Sequence, residues 1–103
     1  MKIITKSSGR DLVVCICGEL DHYKAEKIRA ELDEAITRAG LKRLIFDFSE
    51  LTFMDSTGIG LLIGRYKRAK ERGIDTAIYN PREGVSKILK LSGIYSVISV
   101  INS

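Results

Sequence analysis

Two short segments hold the residues whose types and order could do chemistry. The first is Asp55-Ser56-Thr57-Gly58-Ile59-Gly60, a carboxylate and two hydroxyls ahead of two glycines. It follows a β-rich run and opens an apolar stripe at helical spacing, which makes it a strand-to-helix turn. At such a turn Ser, Thr or Asp satisfies the orphan amides of the first helical turn. Capping needs one residue of this kind, and three stand here in a row. The surplus is a serine hydroxyl presented on an exposed turn. A phosphate on it would accept from free backbone N–H groups and sit at the positive end of the helix dipole. The second segment is Gly18-Glu19-Leu20-Asp21-His22, again a carboxylate where a strand gives way to a helix.

Other chemistries fit these residues less well. Gly58, Gly60 and Gly64 follow a strand and suggest a dinucleotide loop. That motif belongs to the first strand-helix unit, with an acid ending the next strand, whereas Asp75 begins it here. Asp-Ser-Thr-Gly is one residue too long for an aspartic protease motif, and no second carboxylate loop could share the proton. His22 has no motif tying it to a nucleophile. Cys15 and Cys17 fall on one face of a strand and read as buried, reduced core thiols rather than metal ligands. The chain reads as a target of chemistry, not an enzyme. No cofactor or metal is expected.

The elements that must position these segments can be read from periodicity. Ile3 to Ser7 and Leu12 to Cys17 are strand-like, joined by a turn at Ser8-Gly9-Arg10. Ala25, Ile28, Leu32, Ala35, Ile36 and Ala39 stripe a helix between Asp21 or His22 and Gly40. Leu44 to Phe48 is the next strand, and Ile59, Leu62, Ile63, Tyr66 and Ala69 stripe a second helix closed by Gly73. Thr76 to Tyr79 is a strand. Asn80-Pro81-Arg82-Glu83 reads as a helix start with Asn80 as its cap, and Val97 to Ile101 is a last strand. The predicted order is β-β-α-β-α-β-α-β: one α/β domain over residues 1–103, with a mostly parallel sheet and an antiparallel N-terminal hairpin.

That topology locates function. Every strand-to-helix turn of a parallel sheet emerges at the same edge, where ligands and partners usually bind. Gly18 to His22, Ser49 to Thr57 and Asn80-Pro81 share it, so Asp21 is expected beside Asp55 and Ser56. Both carboxylates would oppose a charge added to Ser56. Gly58 and Gly60 would let a partner approach the backbone, while Phe53 and Met54 are expected in the core.

Composition bounds the partners. The chain has 103 residues, 45% hydrophobic and 29% charged, a globular balance. Its longest apolar run, Leu12 to Cys17, is far short of the roughly 20 residues of a spanning helix. The first residues show no export signal, so the expectation is a cytoplasmic protein without a membrane partner. The net charge is +4, concentrated in Arg65 to Arg72. At helical spacing that run is a solvated face without interleaved stacking aromatics, so no nucleic-acid partner is expected.

Gly18-Glu19-Leu20-Asp21-His22, Leu51-Thr52-Phe53-Met54-Asp55-Ser56-Thr57-Gly58-Ile59-Gly60, Gly64-Arg65-Tyr66-Lys67 and Leu91-Ser92-Gly93-Ile94 together resemble the STAS-domain anti-sigma factor antagonists. The likeness runs from about Leu12 to Val100 and is strongest to the sporulation members of spore-forming bacteria. It implies that Ser56 is phosphorylated by the partner itself, an anti-sigma factor that is a serine kinase carrying ATP and magnesium. It also implies that the unphosphorylated form binds that partner and releases the sigma factor, and that a PP2C-type phosphatase regenerates it. The partner-binding residues so implied are Asp21, Asp55, Ser56, Thr57, Gly58 and Gly60. Thr57 stands where some relatives carry a second serine, which leaves a rival hydroxyl. A general-stress antagonist of the same mechanism is the alternative within the family. From another class, a nucleotide or dinucleotide enzyme would use the Gly58-Gly60-Gly64 loop.

Overall fold

Leu12, Val14 and Ile16 are fully buried, while Val13, Cys15 and Cys17 between them are only half-buried. That alternation is the period of a strand with one face packed and one open. In the computed structural model, which describes residues 2–102, it belongs to β2 (Asp11–Leu20). Around it stand β1 (Lys2–Ser8), α1 (His22–Ile36), β3 (Arg43–Asp47), β4 (Leu51–Met54), α2 (Ser56–Glu71), β5 (Asp75–Tyr79), α3 (Glu83–Ser92), a 3₁₀ turn (Ile94–Ser96) and β6 (Ser99–Ile101). The sheet runs β1-β2-β3-β5-β6, with β4 paired to β2 off this path. Only β1 is antiparallel to its neighbour.

The connections step the sheet in one direction, from β2 to β3 to β5 to β6. Right-handed crossovers with that order bring the helices to one face. The core lies there: Leu12, Val14, Ile16, Leu44, Phe46 and Ile78 from the sheet meet Ile28, Leu32, Ile36, Leu62 and Ala69 from α1 and α2. Cys15 and Cys17 are free thiols on the opposite face, outside the core in which the sequence placed them. The Cys15 Sγ lies 3.5 Å from Asp47 Oδ2, and burial, helped by that carboxylate, pushes its pKa up.

The predicted order of helices and strands stands, with one short strand added. β4 occupies Leu51–Met54, inside what read as a long turn. The start of α3 also differs. Arg82, not Asn80, is the residue before the helix, and it makes no side-chain cap. Asn80 sits at φ 53°, its amide held by the carbonyl of Ile101 at 2.7 Å, so strand pairing fixes it before the helix begins.

The basic run of α2 is not wholly solvated. Arg65 is 5% exposed and its Nε lies 2.7 Å from Asp33 Oδ1 on α1, a close ion pair not aligned as a hydrogen bond. Burial draws the Arg65 pKa down and Asp33 pulls it back. Arg68 approaches the same carboxylate at 3.2 Å from the exposed side. Asp33 thus ties α1 to α2, a role that no spacing in either helix announced.

Candidate functional site

β2 makes the site by changing partners along its length. Asp11 to Cys15 pair with β3, whereas Gly18 to Leu20 pair with β4. The register slips between Gly18 and Glu19, and Gly18 takes φ 92°, a conformation that glycine adopts without strain. The Gly18 amide donates to the Glu50 carbonyl at 2.9 Å, and the Thr52 hydroxyl donates to the Gly18 carbonyl at 3.1 Å. Leu20 and Met54 are then direct partners across parallel strands. Each is followed at once by an aspartate and a helix, so Asp21 and Asp55 emerge side by side.

Both aspartates cap. Asp21 is extended, and its Oδ1 accepts from the Lys24 amide at 3.0 Å; its Oδ2 lies 3.8 Å from the Lys24 ammonium. Asp55 is likewise extended and accepts from the Thr57 amide at 2.9 Å, while its carbonyl takes the Gly58 amide at 3.0 Å. The expected pool of free amides at the start of α2 is therefore smaller than the sequence suggested. A phosphate here would compete with Asp55 for donors and stand beside its carboxylate.

Ser56 is the first residue of α2 and is exposed. No described residue hydrogen-bonds its hydroxyl. Thr57, one residue on, is half-buried. Of the two glycines expected to admit a partner, only Gly60 faces open space. Gly58 is buried: a Cβ there would run into Met54 Cγ and lie 3.3 Å from Leu20 Cδ2. Its lack of a side chain lets the first turn of α2 sit on the ends of β2 and β4. Met54 is fully buried as expected, but Phe53 is 45% exposed: α2 and α3 pack on β4 and Leu51 and Met54 are fully buried, whereas Thr52 and Phe53 between them stay exposed.

The loop into β4 is braced at its base. Asp47 Oδ1 accepts from the Ser49 hydroxyl at 2.6 Å and its amide at 3.0 Å. Burial works against the charged form of Asp47, yet these bonds and the Cys15 thiol together hold its pKa below the usual carboxylate value. Arg82 Nε donates to the Ser49 carbonyl at 2.9 Å, joining the start of α3 to the same loop. Sequence reasoning missed this brace and β4. The only local hint of β4 was the strand-forming character of Thr52 and Phe53 between Leu51 and Met54. Among the described residues no helix is long and apolar enough to cross a membrane.

A largely parallel sheet with its helices on one face, and an unengaged serine after a capping aspartate at one edge, define a small α/β domain that presents a hydroxyl at the edge of its sheet. The model of the STAS domain matches residues 2–103, and the chain belongs to that family. The anti-sigma F factor antagonist of Paenibacillus polymyxa is 33% identical over 92 residues, covering 89% of this chain and 79% of its own length. The anti-sigma-B factor antagonist of Bacillus subtilis is 26% identical over 100 residues, with 97% of this chain and 90% of its own length covered. Among solved structures, the anti-sigma factor antagonist SpoIIAA in its unphosphorylated form superposes with a TM-score of 0.86 at 30% identity, over 99% of this chain and 88% of that one. The phosphorylated form of Bacillus SpoIIAA gives 0.78 at 29% identity, over 99% and 91%.

Proposed function

We propose that this chain is an anti-sigma factor antagonist whose binding is switched off by phosphorylation of Ser56. The observation that carries the reading is the exposed, unengaged Ser56 hydroxyl at the first residue of α2, with Asp55 before it and Asp21 on the adjoining segment. The unphosphorylated edge binds the anti-sigma factor and frees its sigma factor. That partner is a serine kinase, which supplies ATP and magnesium. A PP2C-type phosphatase restores the hydroxyl. The chain acts as a cytoplasmic binding protein and brings no catalyst or cofactor of its own. Asp21, Asp55, Ser56, Thr57 and Gly60 form or border the contact surface, and Gly58 supports it from beneath.

The switch works by local charge. A phosphate brings about −1.5 to −2 charges at neutral pH, to be desolvated at an interface beside two carboxylates. Sporulation-specific transcription is the favoured setting, because the relative at 33% identity is an anti-sigma F antagonist. A general-stress role is the second reading, supported by relatives named anti-sigma-B antagonists at 26% identity. Incubation with each candidate anti-sigma kinase and ATP, followed by mass spectrometry, tests the reading. One phosphate on Ser56, lost in Ser56→Ala, is expected. Phosphate on Thr57, or labelling that survives Ser56→Ala, overturns the assignment.

A further inference from the structure

The described residues leave five large apolar side chains well exposed: Tyr23, Phe53, Leu91, Val97 and Val100. Single exposed apolar residues are ordinary on any surface. The distribution of these five is not uniform. The two aromatic ones, Tyr23 at 79% and Phe53 at 45% exposure, both lie at the switch edge, one on each of the two chain segments that meet there. Tyr23 stands in the first turn of α1, two residues after Asp21. Phe53 pairs with Glu19 across β2 and β4 and precedes Ser56 by three residues. No described residue hydrogen-bonds the Tyr23 hydroxyl, and among the described residues its one aromatic neighbour is His22, at 6.1 Å edge-to-face.

The rest of the edge is poor in adhesive surface. Ser56 and Gly60 are small, and one carboxylate oxygen of each of Asp21 and Asp55 already serves as a helix cap. An aromatic ring brings about 150–250 Å² of area to bury, and interface energy concentrates in a few such residues at the centre of a contact. We propose that Tyr23 and Phe53 are the apolar anchors by which this edge docks on its partner, seated in slots next to the point where Ser56 enters. The proposal rests on the reading of the chain as an antagonist that binds a kinase-type anti-sigma factor. It also accounts for the local character of the switch. With anchors on both segments, the Ser56 side chain lies beneath the seated partner, where a phosphate must give up its water.

Titration calorimetry with the purified anti-sigma factor tests this, using wild type, Tyr23→Ser, Phe53→Thr and Val97→Ser. Val97 is 50% exposed and precedes β6, at the opposite edge of the parallel strands. Phe53→Thr keeps a strand-forming residue, and circular dichroism melts verify that every variant folds. The expected result is a loss of about 10-fold or more in affinity for each aromatic variant, with Val97→Ser within about 2-fold of wild type. In kinase assays the aromatic variants raise KM for this protein while kcat at saturation stays near wild type. Wild type that binds and is labelled, with folded Tyr23→Ser and Phe53→Thr binding equally well, overturns the anchors and leaves the antagonist reading standing. So does an equal loss in Val97→Ser. Wild type that neither binds nor is labelled removes both.

Discussion

α2 and α3 leave the same edge of the sheet, but their first turns are built for different ends. At α2 an extended aspartate caps the helix with its own side chain and leaves the next side chain, Ser56, in solvent. At α3 the residue before the helix is Arg82, which offers the helix no cap and turns its guanidinium back to the Ser49 carbonyl and Glu50. One start presents a hydroxyl. The other braces the loop that carries the first. The difference shows that capping chemistry in a sequence acts only where the backbone puts it directly before the helix. Asp55 stands there; Asn80 is two residues early, held by the backbone of β6.

Matched changes at the two starts break or sharpen this contrast. The largest effect is expected on binding. Ser56→Asp should weaken the anti-sigma complex about 100-fold, or ~2.7 kcal/mol, while melting temperature and helix content stay near wild type. The corresponding change at the first residue of α3, Glu83→Gln, should leave affinity within about 2-fold if that turn is a brace. A large change in helix content on phosphorylation would make the switch conformational instead.

The glycines come next. Gly58→Ala pushes a methyl into Met54 and Leu20, an overpacking that costs about 1–3 kcal/mol and exceeds the ~1 kcal/mol of helix propensity it gains. Gly84→Ala, in the first turn of α3, meets nothing within 4 Å and should stabilise by about 0.5–1 kcal/mol. Urea denaturation of both variants reads the pair, and a stabilised Gly58→Ala would show that Met54 yields easily.

The cap exchange is smaller. Asp55→Ala should cost about 1 kcal/mol. Arg82→Asp adds the missing cap to α3 but removes the bond to Ser49, so its net change should stay within about 0.5 kcal/mol.

The smallest effect concerns acid. The pKa of Asp47 is lowered in the folded state, so its contribution is complete above the ordinary carboxylate range and is lost as pH falls through the lowered value. Asp47→Asn should therefore flatten the stability–pH curve below about pH 4 and leave its slope at neutral pH unchanged. An unchanged acid limb would mean that Ser49 does not favour the carboxylate.

Much of the edge was legible because its signals are local. Asp21, Asp55 and Ser56 announce helix starts through capping chemistry, and alternation or helical stripes place the strands and helices that lead to them. Phe53 was misread because its apolar character was taken as burial, whereas the helices that pack on β4 cover Leu51 and Met54 and leave Phe53 exposed. Gly58 was assigned to the partner because a helix-start glycine looks alike whether it faces solvent or Met54. Arg65 looked solvated among its basic neighbours. Only the crossing of α1 over α2 brings Asp33 within 2.7 Å and lets a guanidinium be buried.

The sequence by itself determined the strand and helix order apart from β4, the largely parallel sheet, the edge at which its turns gather and the serine that stands at that edge. These follow from short-range periodicity and from the handedness of crossovers, which act the same way in any chain. The tertiary structure decided which side of each residue is occupied: Gly58 against Met54, Arg65 against Asp33, Cys15 and Cys17 outside the core, Tyr23 and Phe53 in solvent. Such outcomes depend on contacts between segments far apart in the chain. Packing of one element on another, not local preference, settles whether a side chain is buried, paired or left free to bind.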